Sequence, residues 1–313
     1  MGDTSEKNEY IKVAYYYYKT GMTQDQIAKK MSMSRQRVNR ILKKCLETGI
    51  VKIVIQEYEQ NVEFETQLEA LFGLNEVIIA DSRENAVNES IGAAGSAYLA
   101  RVIKDNDIIG FSRGRALSHL VNSLVPVDKK DLTVTQLVGG LNALESNTNS
   151  DDIVRNSAKI LNATPYFMYA PIIVESRQLR DSMLNESFFS QVYNTMKKCT
   201  VAVVGIGDMS VQSTFVQKNF ISEEENRVLQ SKKVVGEICT HYFDSRGTVI
   251  ESGINDRMFA IDVKSYKTIP LRIGVAGGGE KVSAIIGAIR GKMINVLITD
   301  YDTAKELYLK YKS

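Results

Sequence analysis

The chain has 313 residues, 44% of them apolar and 24% charged, with a formal net charge of +2, which is typical of a soluble protein with about two domains. The longest apolar runs are far shorter than the roughly 18 residues of a membrane span, and the polar N-terminus lacks the apolar core of a secretory signal. The widely spaced Cys45, Cys199 and Cys239 show no metal-ligand spacing. We therefore expect a cytoplasmic protein without a membrane segment, metal or cofactor.

Charge is distributed unevenly along the chain. Residues 1–55 hold eleven Lys and Arg against five Asp and Glu, a balance of +6, whereas the remaining residues have a balance of −4. A basic segment joined to a near-neutral one indicates a nucleic-acid-binding module followed by a domain with another role.

The basic segment contains a pattern typical of a helix-turn-helix. Thr23 and Gln26 have the spacing of a capping box at the start of a short helix. Ser34 has the position of an N-cap for a second helix. The apolar positions of the two helices follow the helical period: Ile27, Ala28, Met31, Val38, Ile41, Leu42 and Cys45.

The polar side of the second helix carries the residue types that contact base edges and phosphates. In a helix-turn-helix this second helix enters the major groove, with its N-terminal residues on the bases. An ordinary solvated face is the alternative, which the two correctly spaced capped helices disfavour. The predicted DNA-binding residues are Thr23, Gln24, Ser34, Arg35, Gln36, Arg37, Asn39, Arg40, Lys43 and Lys44.

The elements on either side of this motif are also predicted by their periods. Residues 8–19 form a helix pattern that contains four tyrosines at 15–18, of which we expect two to pack on the module and two to face solvent or a partner subunit. Residues 50–56 alternate like a strand and predict a small wing. Residues 61–73 predict a linker helix that either docks on the next domain or pairs with a second subunit.

From Asn75 onward, apolar strand patterns alternate with helical patterns, which predicts an α/β domain with a mostly parallel sheet. The strand patterns lie at 76–80, 107–112, 132–139, 200–207, 271–278 and 294–300. The helical patterns lie at 86–104, 152–162, 222–231, 281–290 and 301–311. Several of these strands end in glycine, at the edge of the sheet where ligands bind in such domains.

Two turns between a strand and a helix carry cations beside glycines. Ser112, Arg113 and Arg115 surround Gly114 at the start of a helix, where free N–H groups and the helix dipole favour a phosphate. Lys281 follows three glycines in the first turn of another helix, where its charge opposes the dipole. Because such a position costs stability, we expect Lys281 to serve a ligand.

Aspartates follow two further strand patterns. Asp208 comes after a Gly-Ile-Gly turn, and Asp244 lies in a Tyr-Phe-Asp-Ser-Arg-Gly segment. Each is expected either to accept hydroxyl groups of a sugar or to serve as an ordinary turn aspartate. The ligand role is slightly favoured for Asp244.

These motifs resemble the SorC family of transcriptional regulators, in order and spacing, over essentially the whole chain. The matching stretches are residues 15–53, QLVGGLN (136–142), VAVVGIG (201–207), HYFDSRG (241–247), VAGGGEK (275–281) and NVLITDYDTA (295–304). The resemblance implies an α/β Rossmann-like sugar-phosphate-binding domain with the fold of ribose-5-phosphate isomerase and glucosamine-6-phosphate deaminase. The expected organisation is a winged helix-turn-helix at 1–58, a linker helix at 59–74 and an effector and oligomerisation domain at 75–313.

The resemblance also implies an effector site and partners. The predicted site, which includes strand-end glycines, consists of Ser112, Arg113, Gly114, Arg115, Ala116, Gly140, Asp244, Gly278 and Lys281. Many members carry Thr at the position of Ala116, so one hydroxyl contact of the family is absent here. The implied partners are a partly palindromic operator DNA, a sugar or sugar-phosphate effector and further copies of the chain, as a dimer or tetramer.

An enzyme is the alternative, because the implied sensor fold is also an isomerase and deaminase fold. The isomerases of this fold carry a DGADE-like acidic cluster and the deaminases a GIG-x-DGH motif, whereas here GIG is followed by Asp208-Met209-Ser210. A sugar isomerase needs a positioned base, and the two histidines, His119 and His241, lie outside this turn. We therefore predict a transcriptional regulator of a carbohydrate-utilisation operon, without catalytic residues.

Overall fold

The computed structural model describes residues 2–53, 60–81, 87–140, 150–209 and 221–311. The chain divides into two compact units, Met1–Glu59 and Gln60–Ser313. No helix in the described residues combines the length and apolar character needed to cross a membrane. The three cysteines are free and buried.

The first unit contains three helices, α1 (Gly2–Tyr18), α2 (Gln24–Lys30) and α3 (Arg35–Glu47). Its core is formed by the apolar positions that the period of the sequence predicted, together with Val13 and Ala14 of α1. Gly49 has a φ of 73°, in the left-handed region that glycine enters without strain, and it ends α3. The caps and the apolar side of the predicted helix-turn-helix are therefore confirmed.

The predicted wing and the packing of the four tyrosines differ from the prediction. Residues 50–53 form bends and irregular backbone rather than a strand, and the rest of the predicted wing, 54–56, lies outside the described residues. Of the four tyrosines, Tyr16 packs against the core, whereas Tyr15, Tyr17 and Tyr18 are exposed. The expectation that two would pack was wrong, because the core contacts only the side of α1 that carries Val13 and Ala14.

The second unit is built on a seven-stranded sheet with the order β1-β10-β9-β5-β2-β3-β4, in which every neighbouring pair is parallel. Its strands are β1 (Glu76–Ala80), β2 (Ile108–Phe111), β3 (Thr133–Gln136), β4 (Thr164–Tyr166), β5 (Val201–Gly205), β9 (Leu271–Val275) and β10 (Val296–Asp300). A three-stranded antiparallel sheet is formed by β6 (Gly207–Asp208), β7 (Val234–Ile238) and β8 (His241–Asp244).

Helices cover both faces of the parallel sheet, since two separate apolar clusters flank it. One face carries α5 (Val87–Val102), α6 (Arg115–Asn122) and α7 (Ser150–Leu161). Helices that pack on the other face include α4 (Gln60–Phe72), α9 (Ser187–Lys197), α12 (Val282–Arg290) and α13 (Tyr301–Tyr311). The remaining helices are α8 (Arg177–Asn185), α10 (Glu223–Ser231) and α11 (Val263–Thr268).

Helix α4 packs on the rest of the second unit. This is one of the two alternatives that the sequence left open for residues 61–73. Leu68 is fully buried in the core, and Phe72 is almost so. The Phe64 ring lies 5.9 Å from the Tyr301 ring and 5.8 Å from the Tyr308 ring, measured between centroids. The apolar side of α4 is thus used within its own chain.

The strand order creates a topological switch point between β2 and β5. These strands are neighbours, yet the chain continues from β2 toward β3 and β4, and from β5 toward β9 and β10 on the other side. Because the connections diverge, they leave a crevice at the carboxyl ends of β2 and β5, where ligands bind in sheets of this kind. The turns that follow these strands therefore form a candidate ligand site.

Candidate functional site

Side-chain hydrogen bonds hold both ends of the turn in the helix-turn-helix. The Gln26 N–H donates to Thr23 Oγ1 at 3.3 Å, and the Thr23 N–H donates to Gln26 Oε1 at 2.8 Å, which completes the capping box. The Arg37 N–H donates to Ser34 Oγ at 3.2 Å. These bonds satisfy N–H groups that the helix starts would otherwise leave free, so they fix where α2 and α3 begin.

The predicted DNA-binding residues lie together on the solvent side of this module. Thr23 is exposed, Gln24 is half-buried, and every predicted residue of the Ser34–Lys44 segment is exposed. Arg37 Nη2 lies 3.0 Å from Glu9 Oε2 of α1, and Arg35 Nη1 lies 3.7 Å from Asp25 Oδ2 of α2. Both arginine side chains remain more than half exposed, at 58% for Arg37 and 67% for Arg35.

Ser112 joins the two strands that diverge at the switch point of the second unit. It follows β2 and is buried, with 3% of its surface exposed. The Ser112 N–H donates to the Val203 carbonyl at 3.1 Å, and the Gly205 N–H donates to Ser112 Oγ at 3.1 Å. The loop after β2 is therefore held against the carboxyl end of β5.

The next residue, Arg113, extends a cation into this crevice. Only 15% of its side chain is exposed, and its Nη2 lies 4.0 Å from Oε1 of Glu237 on β7. Burial lowers the pKa of the Arg113 guanidinium, and the negative charge of Glu237 opposes that shift. The Thr240 N–H donates to Glu237 Oε2 at 2.8 Å, which fixes the carboxylate beside the arginine.

Lys281 reaches the same crevice from the turn after β9. Its Nζ donates to the Ile206 carbonyl, in the Gly-Ile-Gly turn after β5, at 3.0 Å. Burial lowers the pKa of the Lys281 ammonium, while the nearby Asp208 and Glu237 favour the charged form. The structure thus brings Ser112, Arg113 and Lys281 to one crevice, with the carboxylates of Asp208, Glu237 and Glu280 near Lys281.

The glycine turn that carries Lys281 is held by the end of β10. The Gly278 N–H donates to Asp300 Oδ2 at 3.1 Å and to Thr303 Oγ1 at 2.7 Å, and Asp300 also accepts the Thr303 N–H at 3.0 Å. Gly278 has a φ of 104°, a conformation that side-chain-bearing residues rarely adopt. Sequence reasoning missed Asp300 and Thr303, although an aspartate between a strand and a helix, three residues before a threonine, is an N-cap signal.

The Asp244 carboxylate is held by hydrogen bonds within its own turn. It accepts the N–H groups of Arg246 and Thr248, both at 2.9 Å, and pairs with the Arg246 guanidinium at 3.2 Å. Burial alone would raise the pKa of Asp244, but these hydrogen bonds lower it below its usual value. The turn-aspartate alternative therefore describes what this carboxylate does in the structure.

The other predicted positions surround the switch point or face the core. Gly114 precedes the first residue of α6, and Arg115 lies close enough to Lys281 to lower its pKa. The Ala116 side chain packs in the apolar core. Gly140 follows β3, where its N–H donates to the Ala170 carbonyl at 2.9 Å, and the chain after it, 141–149, lies outside the described residues.

A cavity of about 950 Å³ lies elsewhere in the second unit, between α8, α9, α10 and residues 249–263. Its lining carries both signs of charge, with Glu224, Glu225 and Asp256 beside Arg180 and Lys232. The switch point differs in that the cations Arg113 and Lys281 are mostly buried. Among the residues that the structure describes, no cluster of His, Cys, Asp and Glu is arranged to hold a metal ion.

Comparison with known proteins found one family match in each unit. Residues 56–308 match the Sugar-bind family of sugar-binding domains, and residues 12–48 match sigma-70, region 4. The sorbitol operon regulator of Klebsiella pneumoniae is 31% identical over 306 residues, which cover 96% of this chain and 97% of the relative. The deoxyribonucleoside regulator of Bacillus subtilis is 29% identical, with 97% and 98% covered, and the transcriptional regulator LsrR of Escherichia coli is 30% identical, with 96% and 94% covered.

A solved structure has the same architecture over its full length. The full-length sorbitol operon regulator SorC from Klebsiella pneumoniae superposes with a TM-score of 0.76 at 30% identity, covering 97% of this chain and 99% of that one. The match extends from the helix-turn-helix through the α/β domain, which confirms the predicted fold class. The relatives are named as regulators, so they give no support to the enzyme alternative.

Proposed function

We propose that a phosphorylated sugar or polyol binds at the switch point and changes the affinity of the first unit for operator DNA. The premise is that this chain belongs to the SorC family of sugar-binding transcriptional regulators. The observation that carries this proposal is that Arg113 and Lys281 both lie near Glu237 at the switch point. Two mostly buried cations converge from different strands on one crevice, where the loops after β2 and β9 also begin helices.

The chemistry of this crevice suits a phosphate ester with hydroxyl groups. The phosphate would take Arg113, Lys281 and the N–H groups at the start of α6 as donors. The hydroxyls would find acceptors in Asp208 and Glu237, both of which lie near Lys281. An effector of this class supplies the negative charge that two buried cations favour.

A screen of sugar phosphates tests the proposal directly. A ligand that binds only the folded chain stabilises it by about 2.7 kcal/mol at a hundredfold excess over Kd. We expect at least one sugar or polyol phosphate to raise the melting temperature, to shift the affinity for operator DNA in a gel-shift assay, and to be recovered chemically unchanged. Chemical turnover of the ligand, or binding without any effect on DNA affinity, would count against a sensor.

The first unit is proposed to bind DNA through α3 in the major groove. The exposed cations and amides of α3 are suited to bases and phosphates, and the hydroxyls of Thr23 and Ser34 would contact the DNA backbone. Arg37 would reach base edges from the N-terminal end of α3. Operator binding of this kind places the protein in the cytoplasm.

The proposed assembly is a dimer, or a dimer of dimers, on a partly palindromic operator. One helix-turn-helix contacts few base pairs, and two-fold protein symmetry maps onto two half-sites separated by about one helical turn. We expect analytical sedimentation at micromolar concentration to give a dimer or tetramer, with and without DNA. A monomer under both conditions would refute the assembly.

A further inference from the structure

The cavity between α8, α9, α10 and residues 249–263 has a volume of about 950 Å³, which is the size of a small-molecule pocket. The cations of the switch point are not among its lining residues. Three polar side chains of the lining lie close together, those of Tyr193, His241 and Asp262. The Tyr193 hydroxyl donates to the Asp262 carboxylate at 3.4 Å, and the charge of Asp262 acts on the His241 imidazole. These three side chains form one polar wall of the cavity.

His241 gives this wall a hydrogen-bond acceptor whose need for a donor is unmet. Its Nε2 lies 2.6 Å from the Ile261 carbonyl oxygen, which can only accept, so Nε2 carries the ring proton. Burial lowers the pKa of His241, so the imidazole is neutral at pH 7 and Nδ1 holds a lone pair. His241 is only 8% exposed, and no residue that the structure describes donates to Nδ1. Such a buried acceptor favours a ligand with an N–H or O–H donor.

Asp262 adds a fixed negative charge to the same wall. Its Oδ1 accepts the Ser265 N–H at 2.8 Å, which caps α11, and its Oδ2 accepts the Ser265 hydroxyl at 2.7 Å. Burial raises the pKa of Asp262, but these hydrogen bonds and the nearby charge of Lys197 hold it below its ordinary value. The carboxylate is therefore ionised at pH 7. A charged acceptor and a neutral acceptor thus lie side by side.

The other charges of the lining leave the cavity negative. Its two cations already have partners, since Arg180 Nη2 lies 2.7 Å from Asp181 Oδ1 and Lys232 Nζ donates to the Glu251 carbonyl at 2.7 Å. Two of the lining carboxylates, those of Glu224 and Glu251, pair with no cation within the described residues. The lining carboxylates are those of Glu224, Glu225, Glu251, Asp256 and Asp262. Unbalanced negative charge in a concave site attracts a cation.

We propose that this cavity is a second ligand site, which binds a small organic amine. One ammonium group of the ligand donates hydrogen bonds to the Asp262 carboxylate and to Nδ1 of His241. An ammonium suits this wall because it carries several donors and no acceptor, and bonds between charged partners are the stronger ones. Further donors of the ligand meet Glu224 and Glu251. The site goes beyond the proposed function and does not depend on where the effector binds.

The test is a calorimetric titration of the full chain with 1,4-diaminobutane at pH 7 and constant ionic strength. The matched neutral probe is 1,4-butanediol, which has the same carbon skeleton with hydroxyl groups in place of the ammonium groups. The diamine is expected to bind at one site per chain, about tenfold or more tightly than the diol, because only the diamine offers a charged donor to Asp262. Equal affinity for the two probes, or no binding of the diamine, overturns the proposal.

Asp262→Asn locates the site on the polar wall. Asn keeps an oxygen that accepts the Ser265 N–H, so α11 retains its cap while the negative charge is lost. The variant is expected to bind the diamine about tenfold or more weakly. Asp302→Asn is the matched control, because it removes an equal charge from an exposed aspartate in the first turn of α13. Unchanged affinity in Asp262→Asn, or an equal loss in Asp302→Asn, overturns the proposal.

Two further variants test the acceptor and the location. His241→Phe keeps an aromatic ring but has no Nδ1, so it is expected to weaken diamine binding, and wild-type affinity would overturn the site. Because this change also removes the bond to the Ile261 carbonyl, Asp262→Asn decides the test if His241→Phe does not fold. Lys281→Ala is expected to bind the diamine like the wild type. A loss of diamine binding in Lys281→Ala would move the amine to the switch point and overturn the second site.

Discussion

Replacing Lys281 by alanine is expected to remove the response of operator binding to the effector. Lys281 is mostly buried, and its ammonium lies between the Ile206 carbonyl and the charges of the crevice. Truncating one partner of a buried, hydrogen-bonded charge pair typically costs 2–5 kcal/mol, which is roughly 30-fold or more in affinity. We expect calorimetry with the effector found in the screen to show this loss.

The same variant is expected to bind operator DNA normally when no effector is present. The DNA-reading helices α1–α3 form their own unit, and Lys281 belongs to the other. Lys305→Ala is the matched control, because Lys305 is an exposed lysine on α13 of the same unit. If Lys281→Ala binds the effector and responds like the wild type, the effector binds elsewhere. The prediction that the 112–116 loop belongs to the effector site would then be wrong as well.

A second large effect is expected at α3. Arg37→Ala should reduce operator affinity by roughly 1–3 kcal/mol and relax the preference at one base pair. Arg37 is exposed near the N-terminal end of α3, and on binding its guanidinium would exchange the ion pair with Glu9 for base edges. Fluorescence anisotropy with the operator and with single-base variants of it measures both effects.

Lys43→Ala provides the contrast for Arg37→Ala. Lys43 is exposed farther along α3, where we expect a side chain to contact the DNA backbone rather than the bases. Its loss should weaken binding to all sequences alike and reduce the slope of log affinity against log salt by about one. Wild-type operator affinity for Arg37→Ala at moderate salt would show that α3 docks differently.

The parts of the structure that the sequence predicted depend on short-range patterns. Thr23 with Gln26 and Ser34 with Arg37 are contacts three residues apart, so their geometry follows from helix formation itself. The six predicted strands of the parallel sheet were recognisable because strands buried on both faces are continuously apolar. The convergence of Arg113 and Lys281 followed from the rule that carboxyl ends of parallel strands share one edge.

The residues that the sequence did not predict are those whose role depends on pairing between strands that are far apart in the sequence. Glu237 meets Arg113 only because β7 pairs with β6 next to the Gly-Ile-Gly turn, and the sequence around Glu237 resembles any alternating strand. Asp244 shows the reverse case, since its donors are two and four residues away and satisfy it locally. A strand-end aspartate in a Gly-containing turn therefore indicates a turn at least as strongly as a ligand.

The order of the strands also sets the order in which a growing chain becomes complete. The helices of the first unit, between residues 2 and 47, pack into a core of their own, whereas β1, at 76–80, pairs with β10, at 296–300. Strand β10 can pair with β1 only after residue 300 has left the ribosome. At a synthesis rate of about 5–20 residues per second, that moment comes on the order of ten seconds or more after the first unit emerges. Each newly made molecule therefore acquires its DNA-reading part before its sugar sensor.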